Sequence, residues 1–124
     1  MTNRLLAGVA AAAVIVGGLT MAPASTAATL APLSNCSHSW RNASADSGKI
    51  STTDVNMRKG PHFMCDIIGT FSKNKVYAHC WDTGNKVHGN PHWWHVRIAG
   101  TDTNGWVSEY YLSYSISRST SERC

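Results

Sequence analysis

Four cysteines and six histidines are the residues of this 124-residue chain whose side chains could ligate a metal, attack a substrate or cross-link the fold. Cys36, Cys65, Cys80 and Cys124 are too widely spaced for a zinc site, since no pair has the C-x2-C spacing that brings two thiolates onto one tetrahedral ion. The neighbourhood nearest to a reactive or metal-binding thiol is His79 beside Cys80, with His88, His92 and His95 following. Adjacent side chains on a strand point to opposite faces, so a thiol and an imidazole at consecutive positions do not readily converge. The histidines are therefore read as loop and surface residues. No nucleophile, base and orienting residue stand together as a set, so the expectation is a protein that is not an enzyme and carries no metal or other cofactor. An even number of cysteines in a short exported chain instead forms a disulfide framework. All three pairings of the four are open at this point.

Disulfides need an oxidising compartment, and the amino end offers a route to one. Arg4 is followed by an apolar run over residues 5–19 and then by Ala22-Pro23-Ala24 and Ser25-Thr26-Ala27-Ala28, which reads as a cleavable secretory signal spanning residues 1–28. The run is shorter than the roughly 20 apolar residues a membrane-spanning helix needs, and no second run follows. Release is expected, with no membrane contact once the signal is cut, and the alanine-rich core suits bacterial export. What is left, 96 residues after cleavage at Ala28, is enough for one domain with a modest core. The formal charge is +4, and loss of Arg4 leaves ten lysines and arginines against seven acidic residues. These charges are scattered, with no dense stripe to neutralise phosphates, so nucleic acid is not an expected partner. A weak positive field would still hold the protein near an anionic cell wall.

The elements that must position any site are short strands. Residues 29–48 are rich in Ala, Ser and Asn and show neither helical nor strand periodicity apart from the isolated Trp40, which marks them as an extension. From Lys49 apolar residues alternate between turn-formers. Val55 and Met57 face inward before Gly60-Pro61; Ile67, Ile68 and Phe71 make a second strand; residues 72–75 turn the chain; Val76, Ala78 and Cys80 form the inner face of a third. Residues 82–92, polar and containing Gly84-Asn85 and Gly89-Asn90-Pro91, are expected to be an exposed loop that could serve in recognition. Trp94, Val96 and Ile98 then share one face of a fourth strand, and Trp93, His95 and Arg97 the other. After a turn at residues 102–105, a fifth strand runs from Trp106-Val107 to Tyr110-Tyr111-Leu112. Five short strands point to an all-β barrel or sandwich, closed so that few edges remain.

Residues 54–61, then Ile67-Ile68-Gly69-Thr70-Phe71, Trp93-Trp94-His95-Val96, and Gly105-Trp106-Val107 with Tyr111-Leu112, resemble bacterial SH3-like (SH3b) domains in order and spacing. The opening motif of that family runs L-N-V-R-x-G-P, and Val55, Asn56, Met57, Arg58, Gly60 and Pro61 fall on its positions. The similarity covers residues 49–113. It implies a small five-stranded SH3-like barrel over residues 49–114, between the extension and a tail, residues 115–124, that ends in a cysteine. Cys80 ahead of a Gly-Asn loop, with a cysteine at the carboxy end, resembles small exported members of the family. That likeness implies a Cys80 to Cys124 bridge and leaves Cys36 to pair with Cys65.

The resemblance also implies binding, commonly to peptidoglycan. Trp93, opposite Trp94, Val96 and Ile98, is expected to be at least partly exposed and resembles the aromatic groove position of SH3-type folds; Tyr111 resembles a second such position. Arg58, His62, Phe63 and Trp81 are further groove candidates, while Trp94 and Trp106 are assigned to the core. No hydrolase domain is expected beside this one in the 96 residues. Two functions remain: a lone cell-wall-binding module, or a secreted module that binds or inhibits another extracellular protein or peptide.

Overall fold

Alternating apolar residues and short polar turns build strands, and a computed structural model describing residues 36–124 contains six of them. They are β1 (Ser47–Lys49), β2 (Val55–Arg58), β3 (Ile67–Phe71), β4 (Lys75–Val87), β5 (Asn90–Ile98) and β6 (Asn104–Ser108), followed by 3-10 turns at Glu109–Tyr111 and Thr120–Glu122. The secretory-signal reading lies outside the described residues. The six strands pair antiparallel in one sheet of order β1-β4-β5-β6-β2-β3, curled into a half-barrel. The all-β class therefore stands, with one strand more than expected. The segment read as an extension supplies that strand, and β1 and β3 remain as the two ends of an unclosed sheet.

Residues 82–92 are not a loop. β4 and β5 run through them as one long hairpin, joined at His88 and Gly89, which both have positive φ (48° and 85°). Two consecutive residues with φ > 0 match the right-handed twist of the flanking strands, so a two-residue turn suffices here. Polar residues of this stretch stay at the surface, and Asn85 among them holds a neighbouring segment. The Asn85 amide donates to the Pro61 carbonyl, and Asn85 Oδ1 accepts from the Phe63 amide at 2.7 Å. Gly84 permits that approach, because a Cβ there would overlap the Pro61 carbonyl.

One extra residue decides which face carries what. Ala78 pairs with Val96 and Cys80 with His95, so His79 is a bulge, and the inward set shifts from Val76 and Ala78 to Trp81. Cys80 consequently leaves the inner face expected of it. The concave side buries Ile50, Val55, Met57, Val76, Ala78, Trp81, Trp94, Val96, Ile98, Val107, Leu112 and Ile116. Trp106 is fully buried too, but in a second cluster with Val87 and Trp93, against which Tyr111 and Cys124 pack.

Residues 38–44 and the carboxy-terminal tail lie over this face, where the His38 ring meets Trp106 edge to face and Cys124 packs against the second cluster. The Ala43 and Ser44 amides donate to the His79 carbonyl, the Arg41 amide to Cys80 Sγ, and the Arg41 guanidinium to the carbonyls of Ser121 and Arg123. The Trp40 ring stacks on His79 and His95, with centroids 4.6 and 4.0 Å apart. Disulfides join Cys36 to Cys65, between β2 and β3, and Cys80 of β4 to Cys124, in the pairing that the resemblance implies. Two such bridges fit an oxidising compartment. Among the described residues no helix is long and apolar enough to cross a membrane.

Candidate functional site

Three segments distant in sequence meet at a cleft of about 360 Å³. The end of the hairpin contributes Lys86, Val87 and His88; β2 and the turn before it contribute residues 53–56 and Arg58; Phe63, Trp93, Ser108 and Tyr111 complete the lining. Four of the six groove candidates, Arg58, Phe63, Trp93 and Tyr111, are therefore brought together.

Each of the four does a different job. Arg58 Nη1 donates to the carbonyls of Phe63 (2.9 Å) and Cys65 (3.0 Å), which folds the segment after β2 back against the strand. The guanidinium carbon lies 5.9 Å from the centre of the Phe63 ring. Phe63 is 52% exposed and meets Trp93 edge to face. Trp93 itself is only 2% exposed, and its indole N–H donates to the Asn85 carbonyl at 2.8 Å. The expected partial exposure of Trp93 is thus wrong: alternation places it opposite Trp94, but that face is covered by Val87 of the hairpin, Phe63, Tyr111 and Cys124. Tyr111 is half-buried and packs against both apolar clusters.

The other two candidates are elsewhere. His62 does not line the cleft; its carbonyl accepts from the Cys65 amide. Trp81 belongs to the concave core. Its indole N–H donates to the Ser119 carbonyl, and the Arg118 and Arg123 guanidinium groups lie over its ring, so it holds the tail. Asp54, Asn56, Lys86, His88 and Ser108 also line the cleft and were not candidates. Lys86 and His88 were inside the segment read as a recognition loop; His88 was weighed only as a metal ligand, and nothing in the type or spacing of Lys86 singled it out. Among lining residues Arg58 and Lys86 are cationic and Asp54 is the lone carboxylate, so the cleft leans positive.

The histidines are not all surface residues. His79 and His95 are buried, with their Nδ1 atoms 2.9 Å apart. At that separation one ring donates and the other accepts. Burial, reinforced by the neighbouring His79, pushes His95 down to about 3; burial and then the Arg97 charge lower His79. His38 Nε2 lies 2.8 Å from Asp82 Oδ2, and Arg123 also reaches this carboxylate. Burial alone would raise the Asp82 pKa, but hydrogen bonds from the Thr83 amide, His38 and Arg123 hold it below the usual range. His88 stacks on Tyr110, while His92 sits beside Asn90 and Glu109, so His88, His92 and His95 do not converge. Among the described residues, no three His, Cys, Asp or Glu side chains are grouped to hold a metal ion.

No protein-family model matches the chain, and no curated protein matches it.

Proposed function

We propose that this protein is a secreted, non-catalytic binding module of the SH3-like kind, which engages cell-wall peptidoglycan or a peptide through the cleft between the hairpin end and β2. The observation that carries the reading is the convergence of Trp93 and Tyr111, which resemble SH3-type groove positions, with two further groove candidates, Arg58 and Phe63. The cleft has the character of a recognition site: an exposed aromatic edge on a rigid aromatic floor, with fixed polar groups around it. Its lean towards positive charge favours a ligand bearing a carboxylate. All four cysteines are oxidised, which removes the thiolate a Cys-His hydrolase would need and supports binding without catalysis.

The test is co-sedimentation of the purified protein with peptidoglycan at physiological salt. Retention that falls several-fold in Phe63→Ala and Lys86→Glu supports the reading; no retention, or retention indifferent to both changes, overturns it. A second reading, capture of another extracellular protein, is favoured by the run of exposed apolar residues beside the cleft: Phe63, Met64, Ile67 and Ile68. Cross-linking in culture supernatant separates the two, because a discrete protein adduct formed without wall retention belongs only to the second.

A further inference from the structure

The 3-10 turn Glu109–Tyr111 divides two hollows. Tyr111 lines the cleft already described; Tyr110 lines another, of about 720 Å³, on the far side of the turn. Leu112 and Ile116, 6% and 4% exposed, provide its apolar base. Tyr110, one ring face of which is stacked on His88, is half exposed, and Tyr114 is wholly exposed (101%) at its margin. An aromatic ring left fully in water beside a hollow of this size is available for contact with a ligand.

The polar groups narrow the ligand class. Glu109 accepts from the Trp94 indole N–H (3.0 Å), the Asn90 amide nitrogen (3.2 Å) and Arg118 Nε (2.8 Å). Burial would raise its pKa, but these bonds and the Arg118 charge hold it below the usual carboxylate range, so it is an ionised, rigid acceptor at neutral pH. Arg118 spends Nε on this bond and keeps its terminal nitrogens for other acceptors. One carboxylate and one guanidinium cancel, which leaves the hollow without net charge and disfavours an ionic ligand. A peptide laid down as an added strand is also disfavoured, because the main chain here is already paired: the Ser51 amide donates to the Tyr111 carbonyl, the Ser113 amide to the Lys49 carbonyl, and Ile50 bridges Leu112. What suits two aromatic faces, an apolar base and a fixed acceptor-donor pair is a neutral ring with an apolar C–H face and hydroxyls at its edge.

We propose that this hollow is a second binding site, for a neutral oligosaccharide, whose sugar rings stack on Tyr110 and Tyr114 while their hydroxyls bond to Glu109 and Arg118. The proposal does not rest on the reading of the first cleft. It is tested by following backbone amide signals by NMR in the disulfide-bonded protein during titration with an N-acetylglucosamine tetramer and, separately, with cellotetraose. Saturable shifts at Tyr110, Tyr114, Ser117 and Arg118 with either sugar are expected. Tyr114→Ala, which removes a solvent-exposed ring, is expected to keep the melting temperature and weaken binding about tenfold, the equivalent of roughly 1.4 kcal/mol. Saturation with neither sugar, shifts confined to the cleft around Phe63, or unchanged affinity in Tyr114→Ala each overturns the proposal. Sugar binding together with failure to sediment with peptidoglycan would remove the first-cleft reading and leave this one standing.

Discussion

Phe63 and Trp93 touch edge to face, yet their truncations should be felt in different measurements. Trp93 is buried, packed with Val87 and Trp106 and hydrogen-bonded to the Asn85 carbonyl, so Trp93→Ala leaves a cavity and an unpaired carbonyl. Loss of about 3–5 kcal/mol in denaturant unfolding is expected. Phe63 is half in water, and Phe63→Ala should lose less than about 1 kcal/mol of stability while reducing ligand retention. Equal stability losses in the two variants would show that Phe63 is a core residue and remove it from the site. The contrast was not legible in sequence. Alternation says that Trp93 and Trp94 face opposite ways but not which faces are covered, and the cover comes partly from residues 36–46, whose irregular backbone follows no period. Trp40 and its two imidazole neighbours are joined through side chains nearly 40 or more residues apart, a relation no local spacing carries.

At the level of elements, β2 and the start of β4 were legible because a period of two with one buried face is a strong signal, while β3, which buries no face, was marked only by its apolar residues between turn-formers. The long hairpin was not, since its outer half carries polar residues on both sides, and Gly84, Gly89 and Pro91 read as loop punctuation. Gly89 makes the turn and Gly84 makes room, and substitution separates the two roles. A Cβ at Gly89 meets nothing within 4 Å, so Gly89→Ala bears only the positive φ, about 1–2 kcal/mol. At Gly84 the same change drives a methyl group into the Pro61 backbone, and a larger loss is expected, together with rearrangement of the Phe63 segment and impaired ligand retention. Unfolding curves for the two variants check the order; a Gly84→Ala protein as stable as Gly89→Ala would show that the loop after β2 is not seated on the hairpin. The bulge at His79 is equally silent in sequence, though it turns Cys80 towards Cys124 and Trp81 into the core.

Across the described residues, a sheet that never closes is finished by residues 36–46 and the carboxy-terminal tail, held by two bridges whose partners lie 29 and 44 residues apart. Constraint of the unfolded chain by loops of that length contributes about 3.5–4 kcal/mol each on the chain-entropy account. The same covering seals His79 and His95 under Trp40, with Arg97 paired across from Tyr77 on the adjoining part of the hairpin, and this gives the fold a dependence on pH. Both folded-state pKa values are depressed, His95 to about 3, whereas the unfolded imidazoles titrate near their ordinary value of about 6.5. Below about pH 6.5 the unfolded chain binds more protons, so the stability contribution is complete above that pH and is lost as the pH falls, for His95 at up to roughly 1.4 kcal/mol per pH unit down to about 3, with His79 adding to the loss in the same direction. Asp82 and Glu109, held ionised in the fold, add a further loss as the pH drops through the carboxylate range. Melting temperature should therefore be level from pH 7 to 8 and fall steadily below about 6.5, before carboxylates begin to titrate. His95→Gln, which cannot be protonated, should start less stable and show a shallower fall between about pH 6.5 and 5. A wild-type profile that is flat down to pH 5 would mean that the two imidazoles do not share a dry contact, and the account of how the amino-terminal segment is held would go with it.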